Sequence, residues 1–175
     1  MSHSNLVKLR SPELADLPSI WRLLDTYRDR YLDDYQVITL DDVYDYLKAS
    51  TTRVLEVSGY PAGIVHFSDV IPELRGTIHV LIYPEFTRKI LRAHILEAIL
   101  AWAFETLCFG KIMAYPLSTQ TSAIKLLNRF HFYPHKPLYK HTRQGGKKVA
   151  MHPFELKKRQ WQQSHRTDNK RKETL

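Results

Sequence analysis

The sequence predicts an α+β domain: a central, mostly antiparallel mixed sheet of about seven strands flanked by about four helices. Three observations lead there. The chain is 175 residues long, 43% hydrophobic and 25% charged, the size and mixture of one globular domain with an ordinary core. Between Thr51 and Tyr83 the apolar residues follow a period of two in three successive runs separated by turn signals, the mark of an antiparallel meander. On either side the period is that of a helix, so the element order reads β, α, α, β, β, β, α, β, α, β, β, with no internal repeat.

Leu6 to Arg10 reads as a short first strand, and Ser11-Pro12 offers a capping hydroxyl and a proline at a helix start. The helix that follows carries Leu17, Ile20, Leu23, Leu24 and Tyr27 on one face, with Trp21 beside it. A second helix is expected over Leu40 to Lys48, since Thr39 and Asp42 have the spacing of a capping box. The meander consists of Thr52–Val57, Ala62–Val70 and Thr77–Tyr83, with Ser58-Gly59-Tyr60-Pro61 and Pro72 to Gly76 as its turns. Pro84 ends the third strand by removing a ladder donor. Phe86 to Leu107 is the longest helical pattern, apolar nearly all round from Ile90 onward, so the helix is expected to be covered on most sides. Gly110 stops it. Lys111–Leu117 then reads as a buried strand, Thr121–Phe130 as a shorter helix, and Leu138–Thr142 with Val149–Phe154 as a final hairpin around Gly145-Gly146.

The domain is expected to span residues 1–156, followed by a basic, flexible tail at 157–175 whose one large apolar residue is Trp161. There is no apolar run of membrane-spanning length and no apolar segment at the amino terminus, which places the protein away from membranes and in the cytoplasm. The lone Cys108 supplies neither a disulfide nor a thiolate cluster and is expected to be a buried thiol. Charge is two-sided. Residues 1–105 hold 11 Lys+Arg against 15 Asp+Glu, a net of −4, whereas residues 106–175 hold 15 against 3, a net of +12. A basic half of this density points to an anionic partner of residues 106–175: a cofactor phosphate, a nucleic acid or an acidic protein.

Two segments, GTIHVLIYPEFTRKILRAHILEAILAWAFETL and KIMAYPLSTQTSAIKLLNRFHF, resemble the GNAT superfamily of N-acetyltransferases in its central strand, pyrophosphate loop and helix, and in its next strand and helix. The resemblance covers about residues 6–156. It is nearest to the branch that acetylates ribosomal-protein amino termini, and extends to GNAT-fold proteins of tailed phages, for which the location would be host cytoplasm or virion. It implies an acetyl-CoA site at Val80, Leu81 and Ile82 and at the loop and helix start bearing Thr87, Arg88, Lys89 and Arg92. Gln120 aligns with the family's Asn on the later helix. The family's loop glycines are replaced by Ile90 and Arg92, so acetyl-CoA is either held by the cations Arg88, Lys89 and Arg92 or lost. The family's Tyr proton donor aligns with Leu127; Tyr115 and Tyr133 are the substitutes nearby, and the family's terminal Gly-Phe becomes His131-Phe132.

Acetyl transfer to an ammonium needs a base with a pKa near neutrality, and His79 and His66 are the candidates on adjacent strands. Strand alternation puts Thr77, His79 and Leu81 on one face and Ile78, Val80 and Ile82 on the other. Spacing excludes a metal site: His131 and His135 are four apart, but Pro134 forbids one helix between them. There is no P-loop and no nucleophile elbow. The missing glycines, the missing Tyr and the basic half favour a GNAT-fold protein with a degenerate site, a non-catalytic, phage-type structural or nucleic-acid-associated component. The alternative is an acetyl-CoA-dependent N-acetyltransferase whose acceptor groove, with Asp29, Asp33, Asp34, Asp41, Asp42 and Asp45, suits a cationic amine. A third reading makes the Tyr/Asp segment 27–46 a partner-binding module.

Overall fold

The computed structural model describes residues 7–27, 40–141 and 148–164. β1 (Val7–Arg10), β2 (Thr52–Val57), β3 (Tyr60–Ile71) and β4 (Arg75–Ile82) pair in chain order, each antiparallel to the next, with α1 (Leu17–Tyr27) and α2 (Leu40–Lys48) between the first two. After α3 (Lys89–Ala101), β5 (Lys111–Ala114) lies parallel to β4. α4 (Thr121–Arg129) follows, then β6 (Tyr133–Pro134), β7 (Leu138–His141), β8 (Lys148–Met151) and β9 (Phe154–Lys157). The main sheet has seven strands in the order β1-β2-β3-β4-β5-β9-β6, while β7 and β8 form a separate two-stranded sheet. The expected final hairpin is therefore two things: a ribbon, and a strand that leaves it at His152-Pro153 to join the main sheet as β9. Among the described residues no helix is long and apolar enough to cross a membrane.

The two faces of the sheet bury different sets of side chains. On one, Leu55, Val57, Val65 and Phe67 pack with Ile95, Leu96, Ile99 and Leu100 of α3 and with Leu127 of α4. On the other, Val54, Ile64 and Leu81 meet Ile20, Leu23 and Leu24 of α1 and Val43 and Leu47 of α2. α3 has to be apolar on most of its surface because it is enclosed between the sheet and the carboxyl-terminal elements. Past Ala101 it widens into a π-helical turn, Trp102–Thr106, that aims Trp102, Ala103 and Phe104 inward. Cys108 then takes a left-handed backbone (φ 56°), which turns Phe109 into the core and leaves the thiol exposed rather than buried.

α1 starts later than Ser11-Pro12 would place it. A short 3-10 turn, Leu14–Asp16, precedes it, and the buried Asp16 carboxylate organises the junction. That carboxylate accepts two 2.7 Å hydrogen bonds from the Arg10 guanidinium and one of 2.8 Å from the Glu13 N–H, and the Arg10 pairing holds it below the usual carboxylate range. At the other end of the chain the expected boundary at residue 156 falls inside β9. Residues 158–164 form a further helix, α5, whose Trp161 is 7% exposed and stacks on Phe104 at 5.3 Å. The aromatic residue that looked isolated in a polar tail belongs to the core, because Lys158 N–H bonds to Gly110 O and carries the chain back over the sheet end.

Trp161→Ala and Trp102→Ala should therefore each cost on the order of 3 to 5 kcal/mol in denaturant unfolding, since both remove a buried indole from packed aromatic neighbours. A cost below about 1 kcal/mol at Trp161 would show that α5 is not part of the folded unit.

Candidate functional site

β4 and β5 are paired over three residues only, Arg75↔Lys111, Gly76↔Ile112 and Thr77↔Met113. Beyond Thr77, β4 continues along β3 to Ile82, whereas β5 ends at Ala114 and turns away through Tyr115-Pro116. The strands part, and a cleft of about 510 Å³ opens between them. Tyr83 N–H bonds to Ala62 O, so the β3–β4 alternation turns the main-chain groups of Ile78, Val80 and Ile82 toward the opening. Tyr27 Oη donates to one of these, Ile82 O, at 2.7 Å. Gly63 keeps β3 tight against β4 here: a Cβ on it would lie 2.1 Å from Leu81 O.

The cleft reaches both faces of the sheet. Ile78, Val80 and Ile82 line it together with Arg92 and Ile95 of α3 and Leu126 and Leu127 of α4. His79 and Leu81 line it with Trp21, Asp25 and Tyr27 of α1. Ligands entering from opposite faces can thus meet between the parted strands. Gln120 lies on the wall, but its Oε1 accepts from Leu117 N–H at 3.0 Å and so shapes the turn before α4.

The loop before α3 answers whether a phosphate site survives without glycine. Thr87 (φ −88°) and Arg88 (φ −58°) have ordinary backbones, and no residue from Pro84 to Arg92 has positive φ. The loop tightens instead through Thr87, whose hydroxyl donates to Pro84 O at 2.6 Å. The first α3 hydrogen bond to close is Arg92 N–H to Arg88 O, which leaves the preceding amides of the first turn without intrahelical partners and the dipole end intact. Arg92 lines the cleft from this turn; Arg88 is exposed outside the lining; the Lys89 and Ile90 side chains lie outside the described residues. These groups fit the phosphates of a CoA-type ligand: amides at a helix start and one guanidinium.

His66 and His79 are register partners with ring centroids 6.2 Å apart, His79 on the face it shares with Thr77 and Leu81. Only His79 reaches the cleft; His66 stands behind it, its Nδ1 2.9 Å from Thr52 Oγ1. Burial lowers both imidazoles, His66 to about 4 with a contribution from His79, so both are neutral at pH 7. Leu127 is buried in the wall where the family has its Tyr. Tyr115 lines the cleft and Tyr133 does not, so the structure brings one of the two candidate hydroxyls to the site. Of the acidic residues expected at an acceptor groove, Asp29, Asp33, Asp34 and the Asp42 side chain lie outside the described residues, Asp41 and Asp45 do not line the cleft, and among the described residues the carboxylate on its wall is Asp25, which the sequence reading missed. Its place on α1 beside Trp21 was the available signal. Among the described residues no group of three His, Cys, Asp or Glu side chains could hold a metal.

The spermidine/spermine N-acetyltransferase of Vibrio cholerae, in mutant forms, matches this chain with a TM-score of 0.78 at 16% identity, over 91% of this chain and 98% of that one. The spermidine N-acetyltransferase of the same organism in complex with CoA and spermine matches with a TM-score of 0.76 at 17% identity, over 89% and 98%. A GNAT-family acetyltransferase of Bacillus anthracis gives 0.73 at 13%, over 89% and 96%. No protein-family model matches the sequence, and no curated protein matches it. The chain has the GNAT fold.

Stability should fall on acidification because of His66. Its folded pKa of about 4 lies below the ordinary 6.5, so the unfolded chain binds the extra proton between those values. Stability is therefore full above about pH 6.5 and declines toward about pH 4, by on the order of 2 kcal/mol after discounting for partial exposure. Urea unfolding across that range should show the slope in the wild type and a shallower one in His66→Gln.

Proposed function

We propose that this protein is an acetyl-CoA-dependent N-acetyltransferase acting on an amine of a small molecule or protein. The observation that carries the reading is the cleft between β4 and β5, which has helix amides and Arg92 toward one face and His79 with Asp25 toward the other. Acetyl-CoA, when bound, supplies an acetyl thioester open to attack by an unprotonated amine. Arg92 and the amides at the start of α3 bind phosphate charge, and the gap-facing main-chain groups of Val80 and Ile82 offer strand-like hydrogen bonds to an extended ligand. Asp25 draws a cationic amine into the cleft beside Trp21 and Tyr27, and neutral His79 accepts its proton. Tyr115 Oη, at the end of β5, is the cleft hydroxyl that would protonate the leaving sulfur. The names of the similar structures make spermidine and spermine the first acceptors to try.

The degenerate, non-catalytic reading rested on the missing glycines, the missing Tyr and the basic half, of which the first two concern the cleft. The loop forms without left-handed residues, and Tyr115 stands at the cleft, so neither departure favours it. Calorimetric titration with acetyl-CoA tests the proposal. Binding should weaken by about 1.5 to 3 kcal/mol in Arg92→Ala, the loss of one charge-assisted contact, and by little more in Arg88→Ala/Arg92→Ala. Wild-type protein that binds no acetyl-CoA refutes the reading.

The basic half has a separate use in this proposal. Lys111, Lys157, Lys158 and Arg159 gather at the far end of the sheet around a shallow concavity with Leu74, Gly110 and Gln162. Lys111 and Lys157 share Glu155, while Lys158 and Arg159 have no acidic partner among the described residues. We propose a nucleic-acid backbone as the partner of this end, held by point charges without base readout. Filter binding to duplex DNA should then weaken steeply with salt, and Lys158→Ala/Arg159→Ala should reduce the log–log slope by about 2. A salt-insensitive interaction, or none, removes this partner.

A further inference from the structure

The sheet face beneath α1 changes character along its strands. Under the helices it carries Val54, Ile64 and Leu81; further along β2, β3 and β4 the same face carries Thr52, His66, Ser68, His79 and Thr77. Within this polar strip His79 Nε2 lies 2.7 Å from Ser68 Oγ, and Ser68 Oγ–H donates to Asp69 Oδ2 at 3.3 Å. Consecutive residues of a regular strand point to opposite faces, so the Ser68 and Asp69 side chains should not meet. They do so here because β3 is irregular at this point. The pairing with β4 shifts between Ser68 and Ile71, and Asp69 has a left-handed backbone, φ 47°. Asp is among the few residues that adopt that conformation at low cost, and the bulge re-aims its carboxylate onto the hydroxyl of its neighbour.

Hydrogen counting then fixes the chain's direction. A serine hydroxyl has one proton. With that proton on the Asp69 carboxylate, Ser68 Oγ is left to accept from His79, which favours the ring proton on Nε2. Asp69 is exposed, whereas Ser68 and His79 are partly buried, so the carboxylate lies at the solvent end of the chain.

We propose that Ser68 and Asp69 are positioning residues for His79: they hold its imidazole in the Nε2–H tautomer, so that Nδ1 is the nitrogen that takes the proton of the acceptor amine. This rests on the acetyltransferase reading of the cleft. When a proton passes from the ammonium to Nδ1, the amine is left neutral and His79 becomes an imidazolium. Its Nε2–H still donates to Ser68, and the Asp69 carboxylate, two hydrogen bonds away, stabilises the new charge. Among the described residues the titratable and charged groups around His79 and its cleft include His66 and Asp69 on β3, Asp25 and Tyr27 on α1 across the cleft, Arg92 on α3 and Tyr115 past β5. Asp69 acts on His79 in the raising direction, against its burial. The bulge thus offsets part of what burial does to the base.

Long-range proton–nitrogen NMR of the ¹⁵N-histidine-labelled full chain at neutral pH reads the tautomer directly. His79 should show a protonated Nε2 and a bare Nδ1. In Ser68→Ala the two tautomers should mix, Ser68→Thr should restore the single form, and Asp69→Asn should lower the pH at which the His79 resonances titrate. A His79 proton on Nδ1 in the wild type, or a tautomer unmoved in Ser68→Ala, overturns the proposal. With acetyl-CoA and spermidine as the assay pair, Ser68→Ala should lower kcat about tenfold with KM nearly unchanged. The two failures separate. A wild type that transfers no acetyl group to spermidine, spermine or a peptide amino terminus refutes the reading of the cleft, and with it the catalytic use of the pair. An active wild type whose pH profile and tautomer are the same in Ser68→Ala refutes the positioning role alone.

Discussion

β4 and β5 share a parallel ladder for three residue pairs and then separate, and the site depends on that separation. Had the ladder continued, the main-chain groups of Ile78, Val80 and Ile82 would be consumed by β5 and the sheet would be closed. Several local features enforce the split. Tyr115-Pro116 ends β5 just past Ala114, while β4 is held to β3 as far as Ile82 by a register that Gly63 makes sterically feasible. At the paired end, Gly110 N–H bonds to Glu73 O and Lys111 N–H to Leu74 O, pinning the root of the opening. The two strands are joined at one end and open at the other.

The surrounding packing serves this arrangement from both sides. α3 and α4 form one wall, and their burial against the sheet is completed by Phe104 and Trp161, far from the cleft. α1 forms the opposite wall, and its position is set at its start by the Arg10–Asp16 pair, reinforced by Glu56 on β2, and near its end by Tyr27 on Ile82 O. Tyr83 adds a second tie, its hydroxyl donating to Ser19 O. These are hydrogen bonds between elements far apart in sequence, each anchoring a wall to a strand that borders the opening.

Two positions show how a fold tolerates residues that its motif would exclude. His131 ends α4 in the left-handed conformation, φ 61°, with Phe132 N–H bonding to Leu127 O and His131 N–H to Asn128 O. This is the Schellman arrangement that a glycine adopts without strain, held here by a side chain at a cost of about 1 kcal/mol. The loop before α3 solves the reverse problem. Its departures from glycine are accommodated because the backbone keeps negative φ throughout, so bulk rather than strain limits what can approach.

How much was legible in the residues alone depended on the range of the interaction concerned. Hydrophobic period located the meander, α3 and α4 to within a few residues, and capping spacing located α2, because both are properties of side chains close together in the sequence. Strand alternation also determined the face of His79, and the resemblance of two segments implied the fold. What these local signals could not determine was set by contacts between distant segments. β9 and the burial of Trp161 needed Lys158 to bond Gly110; α1 began where Arg10 could reach Asp16; Cys108 was exposed because Phe109 took the interior place. The cleft itself is the clearest case. Val80, Ile82 and Arg92 could be named from the motif and Tyr115 only as one of two alternatives, but Asp25 became a site residue, and Tyr115 was separated from Tyr133, only once two strands had parted and brought α1 and the end of β5 to the same opening. The Ser68–Asp69 clamp on His79 has the same origin: a bulge in β3 is visible only against the register of β4, which no single strand's sequence contains.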